Sequence, residues 1–170
     1  MQSRARKISA CAMFTALAMI VGYLEHMIPL PFAAPGVKLG LANVVIVAVM
    51  YLIGAKEAFI VNIVRVLLSG VMFTGLSAMM YALAGALTSF AVMSLVKRCK
   101  AFSIIGVSVA GALTHNAAQY SLAAIIVHTV GLISYLPVLM ISGSITGIVV
   151  GTVAHIIVER LKNYSKKARI

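Results

Sequence analysis

Two apolar runs, each long enough to enter a membrane, flank the segment 29–43, which reads PLPFAAPGVKLGLAN. This segment contains three of the four prolines in the chain. Because proline fixes the backbone and lacks an amide donor, the segment cannot form part of a membrane-spanning helix. The sequence therefore predicts a shaped loop at a membrane surface, Pro29 to Lys38, which leads into a helix that carries Asn43.

The composition supports an integral membrane protein. Hydrophobic residues make up 62% of the 170 residues and charged residues only 10%, which does not describe a soluble surface. A net charge of +11 would favour a nucleic-acid partner if the basic residues formed a stripe on a folded face. They cluster between apolar runs instead, so the charge indicates membrane topology. We expect contact with the lipid bilayer and no nucleic-acid partner.

The distribution of basic residues predicts the topology. With six spanning helices, all of the 14 lysines and arginines except Lys38 and Arg65 fall on the side of the amino terminus. This bias places both termini inside and the proline-containing loop outside. We therefore predict a single all-α membrane domain over residues 1–170, with helices at about 8–28, 39–53, 58–73, 76–96, 103–127 and 136–158.

Small residues recur at every fourth position in three of these helices, including Ala78, Ala82 and Ala86 of helix 4. Ala12 and Ala16, like Ala18 and Gly22, form small-xxx-small pairs on helix 1, and such pairs let a second helix approach the backbone closely. From spacing alone, packing inside the bundle is the favoured interpretation, and docking of a partner helix is the alternative. Helix 6 contains two overlapping GxxxG steps, Gly143, Gly147 and Gly151.

Arg65 is the one basic residue predicted to lie deep in the membrane. Insertion of an arginine at a helix centre costs about 2.5 to 3.5 kcal/mol, so the side chain needs a partner or a wet cavity. One interpretation is a structural bond to helix carbonyls or to Asn116. The other is a countercharge for an anionic solute, assisted by Lys38 and His115.

The polar residues of helices 2, 3 and 5 are predicted to converge near Arg65. His115 and Gln119 are four residues apart and share a helix face, and Asn43 follows the predicted loop. Together they are expected to line one pocket that opens outward and is covered by the loop. The predicted solute-binding residues are Lys38, Asn43, Arg65, His115, Asn116 and Gln119.

The sequence predicts neither catalytic residues nor a metal or cofactor site. It has no aspartate, and its acidic residues are Glu25, Glu57 and Glu159. The four histidines lack metal-ligand spacing, and a phosphate-binding GxxxxGK[ST] loop is absent, so active transport would need partner subunits. Cys11 and Cys99 have no CxxC spacing and are expected to be free thiols.

Several sequence strings in order resemble one family. PLPFAAPGVKLGLANVV, YLIGAKEA, IVRVLLSG, GVSVAGALTHNAAQY and LPVLMISGSITG are similar to the Gx transporter family, also labelled heptaprenyl diphosphate synthase component I. That family in turn resembles the substrate-binding S components of energy-coupling factor (ECF) transporters, which are six-helix proteins of the bacterial plasma membrane. The resemblance implies an extracellular solute site capped by the loop after helix 1.

The resemblance also implies the partners. S components dock through small residues on helix 1 to a transmembrane T component that is driven by two ATPases, and Ala12 and Ala16 match the AxxxA docking pattern. The synthase activity in the second label is not carried over, because prenyl diphosphate synthases hold magnesium diphosphate with aspartate-rich motifs and this chain has no aspartate.

Three hypotheses follow. The first is a solute-binding S-component-like subunit of an ATP-driven importer, which captures a small anionic solute from the extracellular side. The alternative is a non-catalytic accessory subunit linked to isoprenoid diphosphate or menaquinone synthesis, or to quinone-linked electron transfer. An independent channel or proton-coupled carrier is the least favoured, because internal repeats and a chain of acidic residues are missing.

Overall fold

The computed structural model describes residues 2–27, 40–128 and 135–167, and within these ranges the protein contains α-helices and no strand. Lys38 and the rest of the predicted loop after Met27 lie outside the described residues. The helices are α1 (Gln2–Met27), α2 (Leu41–Leu52), α3 (Ala55–Ser69), α4 (Leu76–Arg98), α5 (Ile104–Val127) and α6 (Leu136–Lys167), with a π-helical turn at Gly70–Thr74. The all-α class is confirmed for this part of the chain.

Four helical segments are long and apolar enough to cross a membrane, and they correspond to α1, α3 with its π-helical turn, α4 and α6. The 24-residue α5 is long enough but is not among the four, because its centre carries Thr114, His115, Asn116 and Gln119. Large apolar side chains cover the exterior, with Val71 81% exposed and both Ile8 and Leu76 70% exposed. Such a surface fits a multi-pass membrane protein, whereas six spans and internal termini remain predictions.

Two helices extend beyond the apolar runs from which their ends were predicted. Helix α1 begins at Gln2 instead of residue 8, and α6 continues to Lys167 instead of ending near residue 158. The added residues are rich in arginine and lysine, which are good helix formers, and contain neither glycine nor proline. A prediction from hydrophobicity covers only the apolar part of a helix. It therefore misses these polar extensions.

The chain between α3 and α4 also differs from the prediction. Instead of one helix up to residue 73, α3 ends at Ser69 and is followed by the π-helical turn, in which the amide of Gly75 donates to the carbonyl of Gly70 over 2.9 Å. Gly75 then adopts a φ of +83°, a left-handed conformation that favours glycine. A Cβ at Gly70 would lie 2.4 Å from Cγ of Met79, so the widened turn lets the backbone pack directly against α4.

The short helix α2 forms the centre of the core. Eight of its 12 residues are buried, and it packs against α1, α3 and α6. A helix that is apolar on all sides belongs in an interior, and its length of about 18 Å is well below the roughly 30 Å of a hydrocarbon core. Helix α2 therefore cannot cross a bilayer by itself.

Glycines bring α5 and α6 into close contact. A Cβ at Gly147 would lie 2.7 Å from Cα of Val109, and one at Gly151 would lie 2.7 Å from Cα of Ile105. Both obstacles are backbone atoms, so the two helices can approach this closely only without a side chain at these positions. The glycine steps predicted from the sequence thus form the α5–α6 interface.

Candidate functional site

The carboxylate of Glu25, near the end of α1, binds the start of α2. Its Oε1 accepts a hydrogen bond from the amide of Gly40 at 2.6 Å, and its Oε2 accepts one from the amide of Leu41 at 2.9 Å. These amides have no partner within their own helix, and the negative charge lies at the positive end of the helix dipole. Glu25 therefore joins the end of α1 to the start of α2, on either side of the segment 28–39.

The guanidinium of Arg65 lies between α3 and α2 and is bound by two asparagine side chains. Its Nη2 donates to Oδ1 of Asn62 at 2.9 Å and to Oδ1 of Asn43 at 3.4 Å. Asn62 is only 3% exposed, and its Nδ2 donates to the carbonyl of Ala86 in α4 at 3.3 Å. Because the amide group of Asn62 donates to α4, its oxygen is directed at Arg65.

Arg65 retains unused hydrogen-bonding capacity. Its Nε is buried and has no partner among the described residues. A guanidinium offers five N–H donors, and here only neutral amide oxygens accept from it within the described ranges. Glu25 is close enough to attract the charge, but both of its oxygens already accept hydrogen bonds from α2. The site therefore presents a positive charge without a directly bonded carboxylate in the described structure.

Asn116 does not bind Arg65. Its Nδ2 donates to the carbonyl of Leu139 in α6 at 2.9 Å, and a Cβ at Gly143 would lie 2.7 Å from the same nitrogen. The interpretation in which Arg65 forms a structural bond with Asn116 is therefore wrong. The side chain of Asn116 instead faces α6, on the other side of α5 from the residues that contact α4.

His115 and Gln119 pack together against α4. A Cβ at Gly85 would lie 2.8 Å from Cε1 of His115 and 2.9 Å from Cγ of Gln119, so the glycine makes room for both side chains. The next residue, Ala86, provides the carbonyl that binds Asn62. One turn of α4 thus contacts two groups of polar residues. Asn43, Asn62 and Arg65, called the Arg65 cluster below, lie on one side of it, and His115 and Gln119 lie on the other.

The predicted binding residues therefore fall into groups. Asn43 and Arg65 are bonded to each other, His115 and Gln119 share the contact with Gly85, and Asn116 faces α6. Lys38 lies outside the described residues. Two residues of this region were not among the predicted site residues, namely Asn62 and Glu25. The spacing of Asn62 three residues before Arg65 indicated a shared face, whereas no sequence pattern indicated the contact between Glu25 and α2.

A small cavity with a few polar lining residues lies beyond Asn43, between α2, α4, α5 and α6. Its volume is about 30 Å³, and its polar lining includes the buried residues Ser89 and Ser108. This volume matches about one water molecule, so the cavity is too small for an organic solute. Asn43 therefore lies between the Arg65 guanidinium and this small cavity.

Ala12 and Ala16 lie on the outside of the bundle. Both are exposed and line a groove of about 610 Å³ between α1 and α3, which ends at the salt bridge between Lys7 and Glu57, 2.9 Å long. The other small pair faces inward, since Ala18 is 0% exposed and a Cβ at Gly22 would contact Ala42 at 3.5 Å. Ala18 and Gly22 thus pack inside the bundle, as the favoured interpretation of the spacing expects. Ala12 and Ala16 do not, because they lie on the surface.

Comparisons with known proteins place the chain in a family. No curated protein and no solved structure matches it. One family model, described as heptaprenyl diphosphate synthase component I, matches residues 14–157, which include α2 to α5 and most of α1 and α6. This range contains Glu25, the Arg65 cluster and the His115–Gln119 pair. The chain belongs to the heptaprenyl diphosphate synthase component I family.

Proposed function

We propose that the protein is the solute-binding subunit, similar to an S component, of an ECF-type ATP-driven importer in the bacterial plasma membrane. In this role it captures a small anionic solute from the extracellular side and does not act as an enzyme. The observation that carries the proposal is the partly buried guanidinium of Arg65, which donates to two neutral amides and whose buried Nε has no partner among the described residues.

The position of Arg65 supports a role in binding. It lies ten residues after Ala55, about 15 Å along α3 and hence near the middle of a hydrocarbon core of roughly 30 Å. An arginine at this depth is expensive unless it serves a partner or a ligand. Its planar fork of donors suits a carboxylate or phosphate group, which can accept two hydrogen bonds from it at once.

The neighbouring segments supply an entrance and a cover. Helix α2 is too short to span a hydrocarbon core, and we propose that the solute enters beyond its first turn, next to Gly40. Glu25 joins the described residues on either side of the segment 28–39, at the end of α1 and the start of α2. We propose that the segment covers the solute and that Lys38 contributes a second positive charge. His115, Gln119 and Asn116 are proposed to complete the walls.

The groove on α1 supports a docking role. Ala12 and Ala16 leave its floor free of large side chains, and small residues let helices in a membrane pack closely. A transmembrane helix of a T component is the proposed occupant, and two ATPase subunits would supply the energy that this chain has no sequence motif to use.

Affinity purification of the tagged protein from its own membranes tests this proposal. We expect a T component and two ATPases to copurify with the wild type and to be lost from the Ala16→Leu variant. Leu17 is exposed next to Ala16 but does not line the groove, so the Leu17→Ala variant should retain the T component and the ATPases. Recovery of the ATPases with both variants would contradict docking at this groove.

The family match supports a second candidate, a non-catalytic accessory subunit in isoprenoid diphosphate or quinone metabolism. The name of the family describes one component of a synthase, which implies a partner component. The absence of aspartate argues against a magnesium diphosphate site of its own, so the partner would supply catalysis. Copurification with a prenyl diphosphate synthase or a quinone reductase, without a T component and ATPases, would favour this candidate.

A further inference from the structure

A second groove, between α3 and α4, combines apolar walls with a basic rim. Its volume is about 700 Å³, and it lies at the end of the bundle where α3 begins and α4 ends. Phe59 and Phe90 form its apolar floor, with their ring centroids 5.2 Å apart. Lys56, Lys97 and Arg98 lie on its lining. This groove contains no residue that binds Arg65, and it shares only Ile60 with the groove of Ala12 and Ala16.

Among the described residues, no carboxylate forms a salt bridge with a cation of the groove. Glu57, the neighbour of Lys56, turns to the opposite side of α3 and pairs with Lys7 at 2.9 Å. Lys162 of α6 is close enough to repel Lys97, which adds to the positive potential. An anion in the groove would therefore meet three cations, none of which forms a salt bridge with a described acidic residue.

Lys97 is held in a fixed position within this group. Its Nζ donates to the carbonyl of Met50, near the end of α2, and lies 4.5 Å from the centre of the Tyr51 ring. An ammonium group has three donors, so donation to Met50 leaves capacity for a ligand. These two contacts fix the position of the Lys97 ammonium group, which would otherwise move freely in solvent.

A buried hydroxyl provides an independent sign of a ligand. Ser94 lines the groove, and its Oγ is buried without a hydrogen-bond partner in the described part of the chain. Other hydroxyls in these helices, such as that of Thr88, donate to a carbonyl one turn earlier. A buried polar atom without a partner is costly, and an oxygen-rich head group in the groove would supply the missing hydrogen bond.

We propose that the α3–α4 groove binds one anionic phospholipid from the leaflet at the basic end of the bundle. Lys56, Lys97 and Arg98 hold the phosphate, and one acyl chain lies over Phe59 and Phe90. Basic pockets between transmembrane helices on the cytoplasmic side suit anionic head groups, and each lysine or arginine near the surface adds to the attraction. The apolar floor selects a lipid over a soluble phosphate.

Native mass spectrometry of the full chain, exchanged into micelles with equal amounts of phosphatidylglycerol and phosphatidylcholine, tests this proposal. We expect the wild type to retain one phosphatidylglycerol. The double variant Lys56→Gln/Arg98→Gln should bind it about tenfold more weakly. The matched control Lys100→Gln/Arg160→Gln removes two exposed charges from the same end of the bundle, outside the groove, and should bind it as the wild type does.

A charge-neutral variant tests the apolar part of the groove. Ala91 is exposed on its wall, and Ala91→Phe should exclude the acyl chain and lower lipid retention while all the cations remain. Three results would overturn the proposal: equal retention of the two lipids, equal losses in the groove and control double variants, or displacement of the lipid by excess glycerol phosphate. The last result would identify a site for a soluble anion.

Discussion

Asn62 accepts a hydrogen bond from Nη2 of Arg65 over 2.9 Å while its own amide group donates to Ala86 of the next helix. The asparagine thus fixes the orientation of the arginine without neutralising it. A carboxylate in the same place would pair with the guanidinium directly. The choice of an amide over an acid keeps the positive charge available for a ligand.

This relationship predicts the effect of Asn62→Asp. The new carboxylate should form an ion pair with Arg65 and reduce the affinity for an anionic ligand at least tenfold, although the arginine is still present. Loss of the bond to Ala86 should cost about 1 kcal/mol of stability. Ligand retention and the thermal unfolding midpoint, measured on the same samples, check both effects. Unchanged ligand retention in a folded Asn62→Asp protein would mean that Arg65 does not contact the ligand.

The α5–α6 interface predicts a contrast between glycines. Gly147→Ala and Gly151→Ala each place a methyl group 2.7 Å from a backbone Cα and should destabilise the protein by about 1 to 3 kcal/mol. Gly22→Ala is the matched control, since its methyl group would meet Ala42 at an ordinary 3.5 Å. Thermal unfolding in detergent measures all three variants. Equal midpoints for the three would show that α5 and α6 separate more easily than the structure indicates.

Glu25 predicts a loss of stability when its carboxylate is removed. Glu25→Ala leaves the first amides of α2 without these partners, which should cost about 1 to 2 kcal/mol, as for loss of a helix cap. Glu25→Gln retains one acceptor oxygen and should cost less. The same unfolding assay ranks the wild type, the glutamine variant and the alanine variant in that order. An alanine variant as stable as the wild type would show that the two hydrogen bonds contribute nothing net.

Small residues on α1 predict two separable effects. Ala12→Leu adds bulk to an exposed groove and should leave stability unchanged while weakening binding of the partner helix. Ala18→Leu overfills a site that is 0% exposed and should destabilise the fold by about 1 to 3 kcal/mol. Unfolding midpoints and copurification of ATPases separate the two. A large drop in stability for Ala12→Leu would mean that its side chain packs inside the bundle.

Several features of the fold were accessible from the sequence because they follow from one helix at a time. The helix predicted at 39–53 is short for a span, and the 12-residue α2 is shorter still, while Asn62 and Arg65 share a face because they are three residues apart. The glycine steps of helix 6 predicted close packing. Each of these features follows from the period of the α-helix and from the need to place apolar residues in lipid, so one helix is enough to predict it.

Other features depend on which helices become neighbours, and no pattern in one helix reports that. Asn116 and His115 are adjacent in sequence, yet one contacts α6 and the other α4. Both small pairs on α1 have the same spacing, yet Ala16 is exposed and Ala18 is buried. The contact of Glu25 with Gly40 crosses the segment that breaks the helical pattern, so periodicity gave no indication of it.

Native mass spectrometry of the protein purified from its own membranes tests the central claim most directly, with Arg65→Gln and Arg6→Gln compared with the wild type. Both substitutions remove one positive charge, but Arg6 is exposed on α1 near the amino terminus. We expect a small anionic ligand to remain bound to the wild type and to Arg6→Gln and to be absent from folded Arg65→Gln. A ligand retained equally by all three proteins, or a wild type that copurifies with none, would contradict solute capture by Arg65.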